Sequence, residues 1–92
     1  MQNQLIVLSI VVVNFETPDY TSQCLSSIYK NAPHCSFEVI VIDNGSKDGS
    51  LDLIRKKFPE VITIKTGENL GFSRANNLGI NNARGNFRNY CI

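Results

Sequence analysis

Hydrophobic positions divide the chain into alternating segments with the periods of strands and helices. Residues 5–13 form an almost continuous apolar run that is rich in β-branched side chains, which is typical of a strand covered on both faces. A run of this length is too short to span a bilayer, which requires about 20 residues. Shorter runs of the same kind at residues 37–42 and 61–65 predict two further strands.

Helical spacing separates these strands. Thr17 precedes a proline and is a favourable N-cap, and apolar residues then recur every three or four positions, which predicts the first helix. The second helix is predicted from residue 48 or 49 to 58, with Ser46 or Asp48 as its cap. The third is predicted over residues 72–84, with a glycine as its C-terminal stop.

The resulting order, β-α-β-α-β-α, predicts an α/β fold in which a parallel sheet lies between two layers of helices. Short, right-handed connections favour the strand order 3-2-1. With three strands, the most apolar one would lie at an edge of the sheet. The 92 residues form at most one domain.

Composition excludes several classes of protein. Hydrophobic residues make up 42% of the chain and charged residues 18%, a balance that indicates a folded protein. The net charge of +1 gives no reason to expect a nucleic-acid partner. Three cysteines without a CxxC pair argue against a disulfide scaffold or a zinc site and fit a reducing compartment. No basic segment precedes the apolar run, so no secretion signal is predicted and the expected location is cytoplasmic.

Asp43 is the first candidate for chemistry, because ligands of open α/β sheets bind outside the carboxyl ends of the strands. It directly follows the apolar run of the second strand, where an unpaired carboxylate is costly. The carboxylate either accepts hydrogen bonds from its own turn, or accepts one from a nucleobase N–H or a ribose hydroxyl. Both roles can coexist, because a carboxylate has several lone pairs.

The third helix is unexpectedly rich in residues that disfavour helices. Five asparagines lie within residues 69–82. The four of them inside the predicted helix, Asn76, Asn77, Asn81 and Asn82, together with Gly79 cost roughly 3 kcal/mol relative to alanine. Gly79 is expected to let the helix approach the sheet closely. Arg74 and Asn77 lie near the helix N-terminus, where anions bind. Dinucleotide and P-loop fingerprints and a serine elbow are absent from the sequence.

Four segments in order resemble the N-terminal part of a family 2 glycosyltransferase. They are VVVNF at 11–15, CLxSI at 24–28, EVIVIDNGSxDGS at 38–50 and ENxGFSxANNxGIxxAxG at 68–85. The likeness covers residues 5–86 and is closest to the rhamnosyl- and galactofuranosyl-transferase type.

The resemblance implies a partial GT-A fold. It also implies an inverting transfer of a sugar from a nucleotide-diphosphate donor, of the UDP or dTDP type, to an acceptor in a bacterial cell-surface polysaccharide. By this resemblance, Asn14 and Phe15 flank the nucleoside, and the carboxylate of Asp43 binds the base. The nucleotide-binding residues that it implies are Asn14, Phe15, Glu16, Asp43, Asn44, Asn69, Gly71, Arg74 and Asn77.

The sequence departs from the family after residue 86. There the family continues into a fourth strand that ends in a metal-binding Asp-x-Asp or Pro-Asp, whereas this chain reads FRNYCI over residues 87–92. We therefore interpret residues 1–92 as one nucleotide-sugar-binding domain, truncated before strand 4, with a divergent tail. No catalytic residue and no metal ligand is assigned, so the chain alone is expected to be inactive. The complete enzyme is expected to use Mn²⁺ or Mg²⁺ and to be cytoplasmic or peripheral to the inner membrane face.

Truncation would leave the edge of the first strand exposed, and exposed edges pair with other chains. Self-association through this edge is therefore expected. An alternative function follows from the same feature, namely a non-catalytic remnant that acts as a self-associating or partner-binding α/β module.

Overall fold

A computed structural model describes residues 6–47 and 49–85, together with the backbone of residues 87–91. None of the helices in this part of the chain is long and apolar enough to cross a membrane. The elements, in chain order, are β1 (Leu8–Asn14), α1 (Pro18–Lys30), β2 (Phe37–Asp43), α2 (Ser50–Lys57), β3 (Ile62–Lys65), α3 (Phe72–Asn82) and β4 (Phe87–Cys91).

The strands form one parallel sheet in the order β3-β2-β1-β4. The α/β class and the order 3-2-1 of the first three strands are confirmed. Both central strands extend one residue beyond their predicted ends, so that Asn14 and Asp43 are paired strand residues. Helix α3 ends at Asn82, before residue 84, because Ala83 has an extended backbone. Leu5, predicted to begin the first strand, lies outside the described residues.

The expectation that the sheet stops before a fourth strand is wrong. Backbone pairing joins β4 to β1 in parallel, from Leu8↔Phe87 to Val12↔Cys91. The sequence FRNYC has no continuous apolar run, so its hydrophobic pattern gives no strand signal, and its conformation is set by the available edge of β1. Because β4 of the same chain covers that edge, self-association through the edge of β1 is not supported. The alternative of a partner-binding module stays a prediction.

Side chains of β1 and β2 alternate between two hydrophobic cores, as the pleat of a strand requires. The core on the side of α1 and α2 contains Ile10, Val12, Leu25, Val39, Val41, Ile54 and Val61. The core on the side of α3 contains Val11, Ile40, Ile42 and Ala75. This alternation also decides the direction of the residues that follow at the strand ends.

Gly79 brings α3 into direct contact with the sheet. A Cβ atom at this position would collide with Cγ1 of Val11 and would lie 3.4 Å from Cγ1 of Ile42. The expectation that this glycine permits a close approach of helix and sheet is confirmed.

A buried polar network closes the other end of the two central strands. The Glu38 carboxylate, on a residue that is 7% exposed, accepts hydrogen bonds from Ser9 Oγ at 2.7 Å, Arg84 N at 2.7 Å and Arg84 Nε at 2.9 Å. Gly85 N donates to Ser9 Oγ at 2.8 Å. Burial by itself raises the pKa of Glu38, but the hydrogen bonds from Arg84 and Ser9, with the Arg84 charge, lower it below its ordinary value.

The predicted cap of the second helix is not found among the described residues. Helix α2 begins at Ser50, with Gly49 at the N-cap in a left-handed conformation (φ 80°) and no side-chain cap. Ser46 is not the cap, because its hydroxyl instead accepts a hydrogen bond from Glu16 N at 2.7 Å. Asp48, the other candidate, lies outside the described residues.

One cysteine is paired, although the cysteine count argues against a disulfide scaffold. Cys24 is disulfide-bonded, whereas Cys35 is free and exposed. An odd number of cysteines excludes complete pairing but leaves a single pair possible.

Gly79→Ala is expected to lower the free energy of unfolding by about 1–3 kcal/mol, because the new methyl group would overpack against Val11. Helix propensity alone would give the opposite sign. Urea unfolding followed by circular dichroism measures the change. Asn81→Ala, on the exposed side of the same helix, is the matched control and should be neutral or stabilising. Equal stability of the wild-type and Gly79→Ala chains would contradict the close contact.

Glu38→Gln is expected to lower the free energy of unfolding by about 1–3 kcal/mol at pH 7. Ser9 and Arg84, which donate hydrogen bonds to the Glu38 carboxylate, would then face a neutral amide. The pKa of Glu38 is lower in the folded state, so its carboxylate contributes stability above the unfolded-state pKa and loses it as the pH falls through the folded-state pKa. The difference between the two chains should therefore shrink below about pH 4. Chemical unfolding at several pH values tests this, with the exposed Glu60→Gln as control. A difference that is independent of pH would refute the assignment.

Candidate functional site

The carboxyl ends of three strands meet at one edge of the sheet. Asn14 pairs with Asp43, and Asp43 pairs with Lys65, in the parallel register. Backbone hydrogen bonds continue past the strand ends, from Asn44 N to Asn14 O at 2.8 Å and from Thr66 N to Asp43 O at 3.0 Å. The polar residues at this edge are therefore held by the sheet itself and not by mobile loops.

Strand alternation divides the predicted residues between the two sides of the sheet. Asn14 and Asp43 follow Val12 and Val41 on the side of α1 and α2, and both are buried, at 0% and 1% exposure. Phe15 follows Asn14 and Asn44 follows Asp43, and both line a cavity on the side of α3. Six of the nine predicted residues thus occupy two neighbouring places, and the other three lie apart from both.

A chain of hydrogen bonds holds the buried carboxylate. Thr21, from the first turns of α1, donates from Oγ1 to Asn14 Oδ1 at 2.7 Å. Asn14 Nδ2 donates to Asp43 Oδ1 at 2.9 Å and to Ser46 Oγ at 3.2 Å. Both ends of the Asn14 amide are therefore engaged inside the protein. The sequence pattern does not single out Thr21, although its position four residues before the buried Leu25 places both residues on one face of the helix.

Asp43 lines a polar cavity of about 220 Å³ between the ends of β2 and β3 and the start of α2. Ser46, Ser50 and Lys65 are among the other lining residues. The cavity therefore combines a carboxylate with hydroxyl groups and an ammonium group. A ligand with an N–H or O–H donor would satisfy the carboxylate.

A second cavity, of about 410 Å³, lies on the side of α3 and is largely aromatic. Its walls contain three rings that are partly exposed, among them Phe15 at 40%. Exposed rings around a concave surface can pack against a planar or amphipathic ligand. The lining residues are Val13, Phe15, Thr17, Tyr20, Asn44, Asn69, Gly71 and Phe72.

Asn44 links the two loops that border the aromatic cavity. Its Oδ1 accepts a hydrogen bond from Leu70 N at 2.9 Å, and its Nδ2 donates to Asn69 Oδ1 at 3.0 Å. Gly45 has φ 91°, and a Cβ there would lie 2.6 Å from the carbonyl carbon of Glu68. A glycine is therefore required where the two loops touch.

Three predicted residues lie apart from both cavities. Glu16 is exposed with φ 54°, and its Oε2 accepts a hydrogen bond from Lys47 N at 3.4 Å. Arg74 and Asn77 line a separate depression on α3, so the structure does not bring them to Asp43. In the part of the chain that the structure describes, no three acidic, histidine or cysteine side chains are grouped so as to hold a metal ion.

Comparison with known sequences identifies glycosyltransferases as relatives of this chain. The pattern described as Glycosyl transferase family 2 matches residues 9–92. Glycosyltransferase GlyA of Streptococcus pneumoniae is 34% identical in an alignment 87 residues long, which covers 87% of this chain and 12% of that protein. The poly(ribitol-phosphate) beta-glucosyltransferase of Bacillus spizizenii is 34% identical in an alignment 68 residues long, which covers 70% of this chain and 11% of that protein. The chain therefore spans about an eighth of the length of these curated relatives.

Solved structures share the fold. S. aureus TarS 1–349 superimposes with a TM-score of 0.82 at 24% identity, over 94% of this chain and 27% of that one. The mannosyltransferase PcManGT from Pyrobaculum calidifontis, solved with GDP-Man and Mn²⁺, superimposes with a TM-score of 0.71 at 23% identity, over 83% and 24%.

These comparisons confirm the partial GT-A fold and the family that the four sequence segments indicate. The narrower likeness to rhamnosyl- and galactofuranosyl-transferases stays a prediction. Since the family pattern spans nearly the whole sequence, including β4, this chain belongs to glycosyl transferase family 2.

Proposed function

We propose that this chain is the N-terminal nucleotide-sugar-binding portion of an inverting glycosyltransferase, which transfers a sugar from a UDP- or dTDP-type donor to a glycan acceptor. The observation that supports it best is Asp43, a buried carboxylate at the end of β2 that lines an open cavity. Family membership supplies the reaction class.

In this proposal Asp43 accepts a hydrogen bond from the base. Uracil and thymine carry an N–H at ring position 3, and an ionised carboxylate can only accept. Hydrogen bonds between a charged acceptor and a donor are stronger than neutral ones. Cytosine has no proton at this ring position, so the carboxylate would select against it.

The remaining residues of the set surround the base and the diphosphate. Phe15, with its exposed ring beside Asn14 in the chain, would pack against the base. Asn69 and Gly71, which line the aromatic cavity with Asn44, would border the ribose and diphosphate. Glu16, Arg74 and Asn77 belong to the proposal through the sequence resemblance alone.

The complete enzyme is proposed to need a divalent ion, which neutralises the leaving diphosphate in such transfers. PcManGT was solved with Mn²⁺ and GDP-Man. The described residues of this chain do not fit such an ion, because no three suitable side chains are grouped among them. We therefore propose Mn²⁺ or Mg²⁺ ligands outside them, and expect this chain alone to bind donor without transferring sugar.

Asp43→Asn is expected to weaken the binding of UDP about tenfold or more, because an amide accepts the base N–H less strongly than a carboxylate does. Isothermal titration of the purified chain with UDP and dTDP measures the affinity. Asp19→Asn is the matched control, because Asp19 is exposed and lines neither of the two cavities.

The control variant should bind like the wild-type chain. The proposal fails if the wild-type chain gives no heat with either nucleotide, or if both variants lose affinity equally.

A further inference from the structure

We propose that Thr21 is a positioning residue for base recognition, acting on Asp43 through Asn14. This inference rests on the proposed function, since it requires that Asp43 bind the base. It assigns a role to a hydroxyl group on α1 that lies outside every segment matched by the sequence resemblance.

The chemistry of the three side chains permits one arrangement of their hydrogen bonds. The Asp43 carboxylate, when ionised, has no proton to donate. Asn14 must therefore present its amide nitrogen to Asp43, at the observed 2.9 Å. The amide oxygen then points to Thr21, whose hydroxyl must donate, at the observed 2.7 Å.

The Asn14 amide is fixed on a third side as well. Its second proton is directed to Ser46 Oγ at 3.2 Å, and the same oxygen accepts from Glu16 N at 2.7 Å. Asn14 thus occupies Oδ1 of Asp43 and sets the plane of the carboxylate. The other oxygen, Oδ2, is the one that the proposed base N–H would reach.

Removal of the Thr21 hydroxyl would leave the Asn14 oxygen buried without a donor, because Thr21 and Asn14 are both fully buried. An unpaired buried acceptor is unfavourable. Rotation of the amide would relieve this cost but would withdraw the nitrogen from Asp43. The carboxylate would then lose its fixed orientation while remaining charged.

A purely structural role for Thr21, in docking α1 on the sheet, makes a different prediction. It would change stability, or the affinity for all nucleotides alike. A positioning role changes the preference between bases, since only a base with an N–H at ring position 3 makes the proposed hydrogen bond to Oδ2. Base preference is therefore the decisive readout.

The test compares Thr21→Val, which has nearly the same shape without the hydroxyl, with Thr21→Ser, which keeps it. Ser22→Ala is the matched control, because Ser22 is the neighbouring buried residue and its hydroxyl makes no hydrogen bond within the described chain. Affinities for UDP and CDP are measured by titration calorimetry on the whole 92-residue chain.

We expect the wild-type chain to prefer UDP over CDP. The preference should fall about tenfold in Thr21→Val, which corresponds to about 1.4 kcal/mol, and should persist in Thr21→Ser and Ser22→Ala. An unchanged preference in Thr21→Val, or an equal loss in Ser22→Ala, overturns the inference. Failure of the wild-type chain to bind UDP, or of Asp43→Asn to matter, instead overturns the proposed function.

If Thr21→Val does not fold, hydrogen exchange measured by nuclear magnetic resonance on the wild-type chain tests the inference. The Thr21 hydroxyl proton and the two Asn14 Nδ2 protons should exchange slowly with water, because all three are buried and hydrogen-bonded. Exchange of these protons at the rate of exposed groups would overturn the inference without any variant.

Discussion

The parallel register between β1 and β2 is the constraint on which the rest of this structure depends. It places Asn14 directly beside Asp43 at the ligand edge and Ser9 directly beside Glu38 at the opposite end. Because successive side chains alternate between faces, a slip of one residue would turn each member of these pairs away from its partner. The apolar core between them resists such a slip, since it would move the buried valines and isoleucines of β1 to the wrong side.

The two polar pairs resolve the cost of a buried carboxylate in different ways. Glu38 receives a guanidinium group, from Arg84, in addition to neutral donors. Asp43 is held by the neutral amide of Asn14, with Lys65 among the residues that line the cavity beside it. The charge of Glu38 is compensated inside the chain, and its hydrogen bonds join β1, β2 and the segment after α3. The second carboxylate, that of Asp43, lines a cavity and is the group that we propose binds the base.

The sequence predicts the α/β class well because long apolar runs and proline or glycine stops mark each element of the first three units. It also identifies Asp43 correctly as a strand-end residue. It does not predict β4, since the strand FRNYC depends on pairing with a distant partner and not on its own pattern. The split of Asp43 and Asn44 between two cavities follows from their adjacent positions, at the last residue of β2 and the first residue beyond it. The contact of Thr21 with Asn14 depends on the docking of α1 and is not visible in the local sequence.

The hydrogen bond from Gly85 N to Ser9 Oγ has a consequence for how the chain folds. These residues are 76 positions apart, and β1 is completed on this side only when β4 docks. β1 is thus synthesised before the other strands of this sheet and is among the last of them to be enclosed, because closing so long a loop must precede the contacts that reward it. Until then β1 keeps one open edge, so the interval between its synthesis and the arrival of β4 is when the nascent chain is most exposed to mispairing and most in need of a chaperone.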